Sequence, residues 1–253
     1  MSKNTDNNQS LLESLKSLGV HDPLCLIYST LEEQTAPAIP FIKIGLERGE
    51  KCVYIADENS ISAVLGAFKA EGVDTDSALK SGALSVITKK EAYLKDGYFD
   101  PDDMIKLLKE ACTASETEGY NALRVTGEMT WALDGSKGAE RLMEYESKLN
   151  YFFPENNALA ICQYNRNRFP VETVYKVIRT HPLVIYGNMV CKNLYYVPPD
   201  EFLKPEQPSM EVERLLRNIV ERETTERELR ISEAFLSEAQ GIAHLGNWEL
   251  DIK

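Results

Sequence analysis

The chain has 253 residues, 43% of them hydrophobic and 27% charged, and a formal net charge of -12. That is enough chain and enough apolar surface for one large α/β domain with an appendage, or for two small domains. The negative balance repels phosphate backbones and disfavours a nucleic-acid partner, and no apolar run approaches the roughly 18 residues of a membrane span.

The opening "MSKNTDNNQS" is polar and lacks the apolar core of a signal peptide, so residues 1–20 read as an N-terminal segment and the protein is expected in the cytoplasm. Candidate strands then follow at 24–28, 52–56, 84–87, 122–126, 159–164 and 183–186, with amphipathic helices at about 34–47, 60–71, 102–117, 137–150 and 170–179. "FDPDD" announces the third helix, with Pro101 suited to a first helical position. Near-continuous apolar strands alternating with helices predict a mostly parallel sheet covered on both faces. "YYVPPDEFL" reads as the edge and exit of this domain, and 204–209 ("KPEQPS") as a linker. From Met210 to about residue 240 the chain is rich in Glu and Arg. There Val212, Leu215, Ile219, Leu229 and Leu236 keep a rough helical register, broken around Arg222 to Glu226. A solvated helix and a dimeric coiled coil both fit that register, and the need to bury the stripe favours the second. The last residues, 241–253, break the helix at Gly246 and end on a strand-like "WELDI", as if entering another domain.

In parallel α/β sheets ligands bind at the carboxyl ends of the strands. After the first strand stands "STLEEQT", where a phosphate loop would need GxxxxGK[ST]; here there is neither glycine nor lysine. Around the same edge the sequence places Tyr28, Glu32, Asp57, Glu58, Glu128, Met129, Trp131, Cys162, Tyr164 and, just before the last strand, His181. Asp57, Glu58 and Glu128 could flank a magnesium ion, but the phosphate cradle it would serve is missing. Arg166 and Arg168 could meet an anion or simply be solvated. Cys162 with His181 could be a nucleophile and base, two metal ligands, or a buried thiol and a turn histidine. Three histidines in the whole chain argue against a multi-histidine centre, so no metal ligand, cofactor or catalytic group is assigned. Trp131 stands three residues beyond Glu128, which would put indole and carboxylate on one helical face; with Tyr28, Met129 and Tyr164 they could line an apolar pocket or be ordinary core aromatics.

"FIKIGLERGEKCVYIADE" and "VLGAFKAEGVDTDSALKSGALSVI" resemble the KaiC branch of the RecA-like ATPases. More specifically, "GYFDPDDMIKLL", "LRVTGEMTWAL", "EYESKLNYFFP", "CQYNRNRFP" and "RTHPLVIYGNMVCKNLYYVPPDEF" resemble the MEDS sensory family over 21–203. The resemblance implies a RecA/KaiC-like three-layer α/β sandwich without a working P-loop. It also implies a domain that senses small hydrocarbon-derived molecules upstream of PAS and histidine-kinase modules, as in archaeal two-component systems. The tail "ELRISEAFLSEAQGIAHLGNWELDI" resembles the opening of a PAS domain. Asp22, Tyr28, Glu128, Trp131, Cys162, Tyr164 and His181 match the family pattern, whereas Pro23 stands where the family has histidine and Asn165 where it has aspartate. The expectation is a non-enzymatic sensor that binds a small organic ligand, dimerises through its C-terminal helix and signals to PAS or kinase modules. A RecA-like ATPase with an unorthodox phosphate loop and a ligand-free interaction domain are the alternatives.

Overall fold

The computed structural model describes residues 2–205 and 208–242, with side-chain surroundings from Gln9 to Gln240. Seven strands form one sheet: β1 (Pro23–Tyr28), β2 (Lys51–Ala56), β3 (Leu84–Thr88), β4 (Leu123–Glu128), β5 (Ala158–Asn165), β6 (Leu183–Tyr186) and β7 (Met189–Lys192). Their order is β3-β2-β4-β5-β1-β6-β7, parallel except for β7, which pairs antiparallel with β6. The inner strands β1 and β4 are buried along their whole length; β1 reads as an unbroken apolar run, whereas β4 also carries buried Arg124, Thr126 and Glu128.

Helices cover both faces. On one lie α1 (Ser2–Ser17), α2 (Leu31–Glu47), α3 (Ile61–Ala70) and α4 (Thr75–Ser81); on the other lie α5 (Pro101–Thr117), α6 (Leu142–Phe152) and α7 (Val171–Thr180). Each face has its own core. Leu24, Leu26, Tyr54 and Ile161 point toward α2, while Cys25, Ile27, Val125 and Cys162 point toward α6, as the two-residue period of a strand requires. The parallel three-layer α/β architecture expected from the sequence is therefore present.

Three local readings are corrected. The polar N-terminal segment is a helix, because Leu11, Leu15 and Leu18 recur at helical spacing and are buried against the α2 face. The strand-like "YYV" is not a strand; the sheet ends instead on β7, turned back from β6 by Gly187 and Asn188, both with positive φ (57° and 61°). Such a two-residue turn is the tight hairpin whose twist matches the strands, and its Gly-Asn pair was the sequence signal. Finally, β4 runs to Glu128, so Gly127 and Glu128 belong to the strand and not to a loop.

A short helix α8 (Pro199–Phe202) follows β7, and the chain divides into two compact units at Lys204. The second unit contains one continuous helix, α9 (Pro208–Ile242), along which Val212, Leu215, Ile219, Leu229 and Leu236 are exposed. Residues 206 and 207 of the expected linker and the expected start of a further domain after Ile242 lie outside the described residues, and Pro208 and Ser209 of that linker already belong to α9. No helix among the described residues is long and apolar enough to cross a membrane.

Candidate functional site

The turn after β1 is a helix cap. Thr30 Oγ1 accepts the Glu33 N–H (3.2 Å), and the Glu33 carboxylate accepts the Ser29 N–H (2.7 Å). These reciprocal bonds occupy amide donors that a phosphate loop would turn toward its anion. Glu32 is exposed on the outer side of α2, beside a groove of about 830 Å³ that also involves Leu11, Leu15, Leu31, Ile39 and Pro40. Asp22 lies at the opposite end of β1, where its Oδ2 accepts the Gly19 N–H (3.2 Å).

The rest of the carboxyl edge is closed by paired charges. Asp57 Oδ1 meets Lys89 Nζ at 2.8 Å and its Oδ2 accepts the Thr130 hydroxyl at 2.7 Å; Lys89 also reaches Asp134. Glu58 pairs with Arg168 (2.8 Å), and Arg166 donates to the Tyr186 hydroxyl (2.7 Å). Both arginines thus have protein partners. The Tyr28 hydroxyl donates weakly to Glu58 at 3.5 Å, and burial, with Glu58 and Glu128 adding to it, raises its pKa well above the phenolic range.

The residues expected to form one pocket are divided by the sheet. Glu128 and Tyr28 lie toward α2; Met129, Trp131, Cys162 and Tyr164 lie toward α6. Glu128 therefore cannot share an anchor with Tyr164, nor a helical face with Trp131, which sits in a 3-10 turn beyond the strand. Trp131, wholly buried, stacks on Tyr93 (centroids 5.0 Å, 20°) and tilts against Phe99 (4.7 Å). Gly127 makes this packing possible, since a Cβ there would come within 2.0 Å of the Tyr93 hydroxyl.

Among the described residues two carboxylates are wholly buried, one on each face, and they differ in kind. Glu128 is saturated: it accepts the Tyr54 hydroxyl (2.9 Å), the Asp57 and Asn59 N–H groups (2.9 Å each) and Asn59 Nδ2 (2.8 Å). Gln34 and Gln163 extend the same network, Gln34 Nε2 donating to Gln163 Oε1 at 2.8 Å. Such a fully paired network clamps the β2–α3 turn to β4 and has no bonding capacity to spare.

Glu146 is the other, and it was not singled out in the sequence. It lies in α6 at the spacing of Leu142, Tyr145, Leu149 and Phe152, which puts a carboxylate into the apolar stripe; that misplaced charge was the available signal. The Tyr164 hydroxyl donates to its Oε1. Its Oε2 lies 3.1 Å from His181 Nε2, yet neither atom makes a hydrogen bond of acceptable geometry with the other or with anything else. Glu146, Tyr164 and His181 are at most 1% exposed, and Cys162 is 7% exposed.

His181 is held rigidly. It closes α7 in the extended conformation imposed on a residue before proline, and its Nδ1 donates to Val177 O at 2.8 Å. Asn193 Nδ2 donates to the carbonyls of Ile178 (2.6 Å) and His181 (2.7 Å), and Asn150 Nδ2 donates to that of Thr180 (2.8 Å). The last carbonyls of α7 are thereby satisfied. With Nδ1 committed, only Nε2 faces the cluster. Burial by itself would depress the imidazole, but the adjacent Cys25, Glu146 and Cys162 outweigh it and hold the pKa well above the usual histidine value. Burial and Glu146 push the Cys162 thiol up to about 12 against the opposing pull of His181, so in the absence of a stronger partner it keeps its proton. Cys25 lies in register with Cys162 on the neighbouring strand and on the same face.

Among the described residues, Glu146, Cys162 and His181 form the one group of acidic, thiol and imidazole side chains whose donor atoms all lie within 4.8 Å of one another. This cluster, unlike the Glu128 network, has unused hydrogen-bonding and ligating capacity in a sealed core.

A family model described as "MEDS: MEthanogen/methylotroph, DcmR Sensory domain" matches residues 23–182. The "Transcriptional repressor DcmR" of Methylorubrum extorquens (strain DSM 6343 / CIP 106787 / DM4) is 24% identical over 168 residues, which are 65% of this chain and 59% of that protein. The crystal structure of the KaiC-like protein PH0186 from Pyrococcus horikoshii OT3 superposes with a TM-score of 0.47 at 16% identity, covering 65% of this chain and 70% of that one.

Proposed function

The chain belongs to the MEDS sensory family, and from that premise we propose that it is the cytoplasmic input part of a signal-transduction protein. Its ligand is a small organic molecule, admitted at the Glu146–Cys162–His181 cluster on the α6 face. The observation that carries this reading is the pair of buried atoms Glu146 Oε2 and His181 Nε2, which lie 3.1 Å apart and make no hydrogen bond. Leaving such groups unpaired costs roughly 1–3 kcal/mol each, a cost that a bound molecule would relieve.

A one- or two-carbon compound gains only about 0.8 kcal/mol per buried CH₂. Polar or thiol contacts with this cluster must supply the remainder of any useful affinity. Because the cluster is sealed between β5, α6 and α7, entry of the ligand and movement of α6 or α7 away from the sheet are one event. α6 also carries Tyr151, whose hydroxyl donates to Asp200 in α8, and α8 leads along the chain into the second unit. In this reading occupancy shifts α6, and the shift passes through Tyr151 and Asp200 to the chain that becomes α9. The exposed apolar residues of α9 pair it with a second copy, and the downstream modules are PAS or kinase domains.

The family relative's name, a transcriptional repressor, supports a second reading in which the module that follows is a DNA-binding one. The sensory step is the same in both. Capping of the phosphate-loop position by Thr30 and Glu33 counts against an ATPase, as does the pairing of Asp57, Glu58 and Glu128 with protein groups.

Native mass spectrometry of the protein purified from its own host tests the reading. A retained small organic molecule, lost in the Glu146→Ala variant, is the expected result. A ligand retained equally by that variant and lost in Glu32→Ala or Asp57→Ala would move the site to the α2 side or the carboxyl edge and refute it.

A further inference from the structure

Glu146 Oε2, His181 Nε2 and Cys162 Sγ converge from three different elements, α6, the end of α7 and β5. Two of the three have no hydrogen bond although both are buried. A buried histidine–carboxylate pair kept only for stability would align its N–H with the carboxylate; here the two atoms stand 3.1 Å apart without doing so. In a tetrahedral zinc site with bonds of about 2.0 Å, nitrogen and oxygen ligands lie about 3.3 Å from each other. The observed spacing is that of two corners of such a site.

We propose that Glu146, Cys162 and His181 bind one zinc(II) ion. The donor set is a carboxylate oxygen, a thiolate sulfur and an imidazole nitrogen. Magnesium and calcium, which prefer oxygen-only cages, are poorly matched to it. The charges also close: one thiolate and one carboxylate neutralise the dication, so a wholly buried site would carry no net charge. Binding displaces the Cys162 proton to solvent, together with the imidazole proton if one is present, and forms Zn–S, Zn–N and Zn–O bonds.

Supporting groups that a zinc site requires are already in place. The Nδ1–H···O bond to Val177 selects the tautomer whose Nε2 is free to ligate. The Tyr164 hydroxyl occupies Glu146 Oε1 and so leaves Oε2 as the ligating oxygen. Three histidines are too few for a multi-histidine centre but no obstacle here, because a mixed donor set needs only one of them.

Three protein ligands leave a fourth position for a non-protein group. That position deepens the sensory reading and rests on it: the open corner is where a small organic molecule with a hydroxyl, amine, thiol or halide would dock. The ion itself does not depend on that reading.

The test uses the full chain, stripped with a chelator, dialysed against zinc and freed of excess, with metal counted by plasma mass spectrometry. About one zinc per chain is expected for the wild type. Cys162→Ser and His181→Ala, each checked for folding by circular dichroism, should bind zinc at least about tenfold more weakly. Cobalt(II) provides a readout that needs no variant, since a thiolate ligand gives a sulfur-to-cobalt charge-transfer band. A folded wild type that holds no zinc and gives no such band overturns the proposal, as does a Cys162→Ser protein with wild-type affinity. A zinc-free protein that still retains an organic ligand would overturn the zinc site alone. Zinc bound with no organic ligand accepted at the cluster would leave the zinc site standing and overturn the small-molecule reading.

Discussion

Truncating each buried glutamate to alanine should separate their roles. Both side chains are fully buried and of equal size, so the cavity created is a shared term that cancels in the comparison. Glu128→Ala strands the Asp57 and Asn59 N–H groups and one Asn59 Nδ2 proton, while the Tyr54 hydroxyl keeps a 3.4 Å contact with Gln163 and Asn59 Nδ2 keeps its 3.0 Å bond to Gln34. At about 1 kcal/mol or more for each stranded donor, the hydrogen-bond loss is at least about 3 kcal/mol. Glu146 also faces His181 at 3.1 Å and helps to hold its pKa up, so the comparison is made at alkaline pH, where the imidazole is neutral and their ion pair no longer contributes. There Glu146→Ala strands the Tyr164 hydroxyl alone, a loss of about 1 kcal/mol. The expected difference is about 2 kcal/mol. Urea unfolding at that pH in the presence of a chelator, followed by circular dichroism, should therefore show midpoints about 0.5–1 M apart, with Glu128→Ala the lower. Equal midpoints, or a lower one for Glu146→Ala, would refute the distinction between a saturated clamp and an unsaturated site.

Gly127→Ala forces a Cβ to within 2.0 Å of the Tyr93 hydroxyl, whose ring is held by its stacking on Trp131. A loss of about 1–3 kcal/mol is expected by thermal melting, and a melting point at or above that of the wild type would contradict this packing. Of the five cysteines only Cys191 is exposed, and burial raises Cys52 to about 12 and Cys112 to about 11. Brief iodoacetamide treatment at neutral pH should add one adduct to the native chain and five to the urea-unfolded one by intact mass; native labelling of Cys162 at a rate close to that of Cys191 would disprove its burial. Thr30→Ala removes the cap of α2 and should cost about 1 kcal/mol, seen in the same unfolding assay. Removal of residues 205–253 should leave a folded monomer by light scattering, and a truncated dimer would dismiss α9 as the dimerising element.

The sheet was legible because its inner strands are buried on both faces and so are rich in apolar residues, with Arg124, Thr126, Glu128 and Gln163 as the buried polar exceptions. The helix at Pro101 was equally plain, since Asp100 caps it through the N–H groups of Asp102 and Asp103. α1 was obscured because, among its residues with described surroundings, Leu11 and Leu15 are the apolar anchors of a polar sequence, and β7 because it is a short, exposed edge strand. The site was partly legible. Cys162, Tyr164 and His181 are side by side, but the sequence list joined them to Tyr28 and Glu128, which the strand period sends to the other face. Glu146 was invisible to a search of strand ends because it comes from a helix that packs across them. Only a charge in an apolar helical stripe marked it.

The chain has three histidines, His21, His181 and His244, so histidine-selective labelling gives a spectrum simple enough to report on one site. A nitrogen-15 histidine spectrum, recorded during titration with one- and two-carbon alcohols, amines, thiols and halides, tests the central claim most directly. A compound that raises the melting temperature should move the His181 imidazole resonances further than those of His21, whose Nδ1 is bonded to the Phe153 carbonyl outside the cluster. A stabilising compound that leaves His181 unmoved would contradict the assignment of the sensory site to the Glu146–Cys162–His181 cluster.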